Sequence, residues 1–194
     1  MARYILVGGY SSKTPDGGKA FCEELLRGHH PPYKILLCLF ARPTDTWNQL
    51  LVEAKEFFSQ FLSPKDFQME LANPAKFTEQ VKWVDIVYIK GGEAEQLLIN
   101  ELGVNRKWVA ELKGKTLAGT SVGANAISRY YYSVQDRKVE EGLAILPIKV
   151  ITHWRSEDSA LHVHWDEALL ELKNYKEDLP LHTLKEGEFV VIEI

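Results

Sequence analysis

Gly119-Thr120-Ser121-Val122-Gly123 is a Gly-x-Ser-x-Gly segment, the pattern that lifts a serine out of a sheet for nucleophilic attack. Thr116 to Gly119 reads as a short strand running into Ser121. Val122 to Arg129 is rich in small residues and reads as a helix packed close to the sheet. Glycines flank the serine where strand and helix nearly touch, and Ala124 and Ala126 extend that tight packing. At a helix N-terminus, backbone N–H groups and the dipole favour a developing oxyanion. The motif alone is common, and its strand–turn–helix setting is what gives it weight. Read blandly, it is a tight turn with a capping serine.

A second turn supports the first. Gly91-Gly92 follows the apolar strand Val84 to Ile89 and precedes a helix. Backbone N–H groups of Gly91, Gly92 and Val122 are the candidate oxyanion hole. A serine hydroxyl also needs a base. His153 follows the apolar run Leu143 to Thr152 and so stands near a strand end. His162, His164 and His182 are its competitors, while His29 and His30 lie in a loop before Pro31-Pro32 and read as solvated. His162-x-His164 would bind a metal only if a strand turned both rings to one face, and no carboxylate or cysteine spacing completes such a site. Neither a metal nor a cofactor is expected. Asp136, Glu140 and Glu141 lie between Ser121 and His153, and any of them could orient the base or be surface charge.

The elements that must position these groups alternate strand with helix. Ile5 to Val7 is the first strand, followed by a helix with Ala20, Phe21, Leu25 and Leu26 inward and Gly28 at its stop. Lys34 to Phe40 reads as a strand buried on both faces. Trp47, Leu50, Leu51, Ala54, Phe57, Phe58 and Phe61 form a helical stripe, with Thr44 or Asp45 as N-cap. Phe67 to Leu71 alternates as a half-exposed strand, and short helices are expected over Pro74 to Lys82, Glu93 to Asn100 and Asn105 to Leu112. Beyond Tyr130 the expectation is a strand over Leu143 to Thr152, a helix over Trp165 to Leu172, and a terminal hairpin over Leu181 to Ile194 turning at Lys185-Glu186-Gly187. The fold class expected is three-layer α/β/α, one domain over residues 1–194. A mostly parallel sheet carries helices on both faces, with the nucleophile elbow after a central strand. Ligands of such sheets bind beyond the carboxyl ends of the strands, where both glycine turns fall.

Bulk properties narrow the function. The chain has 194 residues, 45% of them hydrophobic, and a formal net charge of -4, with no basic stripe to attract nucleic acid. Cys22 and Cys38 sit in apolar segments and read as reduced core residues. No stretch reads as a signal peptide or a membrane span, so the cytoplasm is the default location.

Taken together, the residues resemble the dipeptidase E and cyanophycinase family of serine peptidases, whose fold is similar to that of class I glutamine amidotransferases. Members carry a Gly-Gly-Gly-Asn-Thr-x-x-Leu-Leu-like segment after a strand, where this chain has Lys90-Gly91-Gly92-Glu93-Ala94-Glu95-Gln96-Leu97-Leu98. Their Gly-x-Ser-Ala-Gly-Ala corresponds to Gly119-Thr120-Ser121-Val122-Gly123-Ala124. Their histidine after a strand corresponds to Ile151-Thr152-His153-Trp154. The resemblance implies Ser121 as nucleophile, His153 as base and Asp136 as the acidic partner. It implies a small peptide as substrate. Charge and the apolar pattern give no reason to expect a nucleic-acid or membrane partner, and a homodimer stays open. Glu93 replaces the family's asparagine and Val122 its alanine, and Arg155-Ser156-Glu157-Asp158 is unlike its recognition region. A non-catalytic binding member of the fold and a small esterase are the alternative expectations.

Overall fold

Strand alternates with helix along the computed structural model, which describes residues 1–157 and 162–194. The order is β1 (Arg3–Val7), α1 (Lys19–Leu26), β2 (Tyr33–Cys38), α2 (Trp47–Ser59), β3 (Phe67–Leu71), α3 (Phe77–Trp83), β4 (Ile86–Ile89), α4 (Glu95–Val104), β5 (Thr116–Thr120) and α5 (Val122–Ile127). Then come β6 (Tyr130–Ser133), β7 (Lys138–Glu141), β8 (Lys149–Ile151), α6 (Trp165–Asn174), β9 (Leu181–Thr183) and β10 (Phe189–Glu193).

The main sheet runs β10-β1-β5-β4-β2-β3, parallel except for β10, which pairs antiparallel with β1. Its central strands are apolar on both faces because helices cover both. Ile5, Val7, Ile35, Leu37 and Tyr88 face α1 and α2, with Phe21, Leu25 and Phe58. Leu6, Leu36, Cys38, Val87 and Ile89 face the opposite way, toward Val81, Leu98 and Ala124 of α3, α4 and α5. This is the expected α/β architecture. Register brings the strand ends level: Val7 lies beside Thr120, and Ile89 beside Gly119. Gly8-Gly9, Gly91-Gly92 and Ser121 therefore leave the sheet at one edge.

A second sheet, β7-β6-β8-β9, was not expected from the sequence. Its strands are three or four residues long, too short for periodicity to register. Of the strand expected over Leu143 to Thr152, only Lys149–Ile151 forms. Ala144 has a positive φ of 50° and Pro147 lacks an N–H, so neither suits a ladder. The expected terminal hairpin is also corrected. β9 pairs with β8 in the second sheet, and β10 pairs with β1 in the first, so Leu184 to Glu188 carries the chain from one sheet to the other.

Smaller differences are local. Ala20 is exposed, and Cys22 faces inward instead. Neither Thr44 nor Asp45 caps α2 through its side chain, because Thr44–Thr46 forms a 3-10 turn that leads into the helix. His29 is half-buried, with Nε2 at 3.0 Å from Thr116 Oγ1, whereas His30 is exposed. Cys22 and Cys38 are buried free thiols, and burial pushes both up to about 12.

Candidate active site

Ser121 lies at the tip of the turn between β5 and α5, with φ 53° and ψ −119°. Such a backbone costs a non-glycine residue on the order of 1–3 kcal/mol and persists only when its surroundings hold it. Here they do. Ser121 N–H donates to Val7 O at 2.9 Å, and Ser121 O accepts from Ala124 N and Asn125 N at 2.8 and 3.1 Å. The glycines are sterically required. A Cβ on Gly119 would fall 2.5 Å from the Gly123 carbonyl carbon, and one on Gly123 would fall 2.4 Å from Ile89 O.

Gly91-Gly92 does face Ser121. A Cβ on Gly91 would lie 2.9 Å from Ser121 Cβ, and one on Gly92 would lie 2.1 Å from Ala41 O. The two amides differ in availability. Gly91 N–H already donates to the buried Thr120 Oγ1 at 3.1 Å, which removes it from the expected oxyanion hole. Gly92 N–H meets no backbone acceptor among the described residues and remains free. Val122 N–H is the matching donor that directly follows Ser121, and the Val122 side chain packs into the core. Glu93 is exposed at the cleft rim, so its charge is solvated.

His153 comes from the carboxyl end of β8 by way of the buried Thr152. Its Nε2 lies 2.9 Å from Ser121 Oγ. The backbone holds it there, with His153 N–H donating to Gly8 O at 2.8 Å and φ at 53°. Tyr10 presents its ring edge to the imidazole at a centroid separation of 5.7 Å. His162 and His164 are exposed and precede α6 outside any strand, and His182 lies on β9. The strand that a His-x-His metal pair required is therefore not there.

The other imidazole nitrogen faces Glu186. His153 Nδ1 is 3.5 Å from Glu186 Oε1, which also accepts from Ser156 Oγ at 2.8 Å. Lys13 Nζ lies 3.6 Å from Glu186 Oε2. Partial burial opposes ionisation of this carboxyl, but Ser156, His153 and Lys13 together hold it below the usual glutamate value. Asp136, by contrast, joins Glu95 and Glu140, with carboxylate oxygens within 4.8 Å of one another. That corrects its expected place beside His153: the β6–β7 turn carries the exposed Asp136 to Glu95 and Glu140 instead. Glu141 pairs with Lys176. Sequence reasoning missed Glu186 because it read Lys185-Glu186-Gly187 as a hairpin tip. The available signal was an acidic residue in the connection just before the last strand, which lies beside the Gly8-Gly9 end of β1.

Glu95, Asp136 and Glu140 are the one acidic cluster among the described residues with spacing for a cation. Its oxygens are largely engaged already. Glu95 accepts from Asn125 Nδ2 at 2.6 Å and Ser133 Oγ at 2.9 Å. Glu140 accepts from Gln96 Nε2 at 2.5 Å and Tyr131 Oη at 2.8 Å and pairs with Lys138 at 2.7 Å. It is a hydrogen-bonded network, and the buried Asn125 links it to Thr152 beside the imidazole.

Ser121 opens into a cleft of about 800 Å³. One wall is apolar, from Leu50, Ala54, Phe57 and Phe58 of α2 with Tyr88 of β4; the other is polar, from Glu95, Asn125, Ser133 and Gln135. A serine hydroxyl beside an imidazole, with free N–H groups next to it, can perform acyl transfer.

Comparison with solved structures agrees on the fold. A peptidase from an acI-B1 Actinobacterium is 21% identical, with a TM-score of 0.65 over 99% of this chain and 83% of that one. A protein assigned as peptidase E from Listeria monocytogenes EGD-e is 14% identical, with a TM-score of 0.70 over 99% of this chain and 94% of that one. No curated protein matches the chain. No helix among the described residues is long and apolar enough to cross a membrane. Residues 34–193 match peptidase family S51, the dipeptidase E family that the motifs resemble. With most of its length covered by that match and Ser121 poised on His153, the chain belongs to peptidase family S51 and is a serine peptidase.

Proposed function

We propose that the protein hydrolyses short peptides through an acyl-enzyme on Ser121. The observation that carries this reading is the 2.9 Å separation between Ser121 Oγ and His153 Nε2. In the resting state the hydroxyl donates to neutral Nε2. As Oγ attacks the peptide carbonyl carbon, the proton passes to Nε2 and the carbonyl oxygen becomes an oxyanion. Gly92 N–H and Val122 N–H donate to that oxyanion. The C–N bond then breaks, and His153 returns the proton to the departing amine. Water, deprotonated by the same nitrogen, attacks the ester and releases the acid and Ser121.

Glu186 fits the third role. Its charge next to Nδ1 favours the tautomer that keeps Nε2 free to accept, and it stabilises the imidazolium formed during attack. Mixing protein with an activated peptide ester under rapid quench tests the scheme. A covalent adduct of the acyl mass on Ser121, formed and lost at rates compatible with turnover, is expected. Turnover without any Ser121 adduct, or an unchanged rate in Ser121→Ala, would contradict it.

A further inference from the structure

Tyr10 is 51% exposed, and of the exposed large apolar side chains among the described residues it is the one that lines the cleft. It is nonetheless held in place. Its φ of 39° is left-handed, a conformation that a non-glycine residue keeps only where its surroundings impose it. Tyr10 O accepts from Lys13 N at 2.7 Å, closing a tight turn. Lys13 Nζ lies 3.6 Å from the Tyr10 ring centroid, and the same ammonium lies 3.6 Å from Glu186 Oε2. The loop docks on the segment that bears Glu186: a Cβ on Gly187 would fall 2.4 Å from Thr14 Cγ2. The phenol ring therefore stands fixed beside His153, with 5.7 Å between the ring centroids.

Acyl transfer gives this place a direction. The sheet order β1-β5-β4 sets the Tyr10 loop on one side of Ser121 and Gly91-Gly92 on the other. His153 is on the β1 side, where its N–H donates to Gly8 O. During hydrolysis the carbonyl oxygen turns toward the Gly92 and Val122 N–H groups, while Nε2 passes its proton to the leaving nitrogen. The residue that carries this nitrogen then lies over the end of β1, where Tyr10 stands. The surroundings there are apolar and without net charge. Lys13 and Glu186 pair with each other, so neither charge calls for an opposite charge on the substrate. A Cβ on Gly18 would fall 2.8 Å from both Ser11 O and Phe57 Cε2, so the loop that carries Tyr10 abuts the apolar wall of α2. An exposed ring gains when another apolar group covers it, by removing area from water and by offset or edge-to-face ring contact.

We propose that Tyr10 forms the leaving-group subsite of the cleft and selects peptides whose residue after the scissile bond is aromatic or a large aliphatic. This rests on the peptidase reading above. The side chain of that residue packs on the Tyr10 ring while its nitrogen faces His153 Nε2.

Four dipeptide pools test this, each with all twenty residues in equal amounts at the first position and phenylalanine, leucine, glycine or serine at the second. The mixed first position leaves the acyl side free, and mass spectrometry reads the second residue as it is released. At substrate concentrations below KM, release of phenylalanine and leucine should exceed release of glycine and serine about tenfold or more. Tyr10→Ser should collapse that ratio toward one, and Tyr10→Phe should keep most of it. The ratio separates selection from a general loss of rate through the neighbouring imidazole. Calorimetry on Ser121→Ala protein should show phenylalaninamide binding about tenfold or more tighter than glycinamide, a difference lost when Tyr10→Ser is added. Equal release from the four pools, a preference for glycine or serine, or a preference that survives Tyr10→Ser would overturn the subsite. With no pool cleaved, equal binding of the two amides would overturn it as well, whereas a Tyr10-dependent difference in binding would count against the catalytic scheme and support the subsite.

Discussion

The His153 imidazole rests directly on Gly9, where an added Cβ would fall 2.3 Å from Cε1 and 2.7 Å from Nδ1. Gly9 also has φ 145°, and its carbonyl accepts from Gly187 N at 2.7 Å, tying the β1 turn to the segment that bears Glu186. A side chain here must push the ring off Ser121. Gly9→Ala is expected to lower kcat/KM about a hundredfold or more, as misplacement of a base by about 1 Å does. The far-ultraviolet circular dichroism should stay native. Activity within a few-fold of the parent would mean that the ring is not held by this contact.

Glu186→Gln should reduce kcat by about 10²–10⁴, the range expected when the group that orients a catalytic imidazole loses its charge. Asp136→Asn should cost distinctly less, because Asp136 sits with Glu95 and Glu140 instead of at Nδ1. Parallel steady-state kinetics on the two variants check this. The reverse ranking would return the acid role to Asp136.

The Ser121 turn, the glycine turn that faces it and the histidine beside it were legible in the sequence because each is marked locally. Gly119, Gly123 and Gly92 answer to backbone atoms that an added Cβ would meet at 2.1 to 2.5 Å, and His153 follows an apolar run. The carboxylate facing His153 Nδ1 was not legible. Glu186 reaches the site only because β9 and β10 belong to different sheets, a long-range pairing with no local signature. Asp136 was favoured by resemblance and chain order, yet the tight β6–β7 connection turns it toward Glu95. Gly91 is expected to donate to an oxyanion, but its N–H already donates to Thr120 Oγ1, a side-chain hydrogen bond no periodicity reveals.

That last contact yields a prediction of its own. Thr120→Val keeps the shape of the side chain but removes the acceptor for Gly91 N–H. A buried N–H without a partner costs about 1–3 kcal/mol. Chemical denaturation should report a loss of that size, and kcat/KM should fall as well, because the same turn carries Gly92. A variant as stable as the parent would show that the amide finds another partner.

Glu95 makes stability depend on pH. Burial raises its carboxyl above the ordinary 4.5; hydrogen bonds from Asn125 and Ser133 oppose the rise, and Glu140 and Asp136 add to it. A carboxyl raised on folding contributes most below its unfolded value, and that contribution is lost as pH rises through the folded value. Glu95→Gln removes the ionisation, and the Ser133 hydroxyl can rotate to accept from the amide. The stability of Glu95→Gln relative to the parent should therefore increase as pH rises from about 4.5 toward neutrality. A difference that is flat across that range, by denaturant titration, would show that Glu95 is not raised.

The central claim is that His153 activates Ser121, and covalent labelling tests it most directly. A fluorophosphonate should modify the parent protein at Ser121, located by peptide mass mapping. Ser121→Ala should remain unlabelled, and His153→Ala should react at least a hundredfold more slowly. No labelling of the folded parent between pH 6 and 9, or equal rates for the parent and His153→Ala, would contradict it.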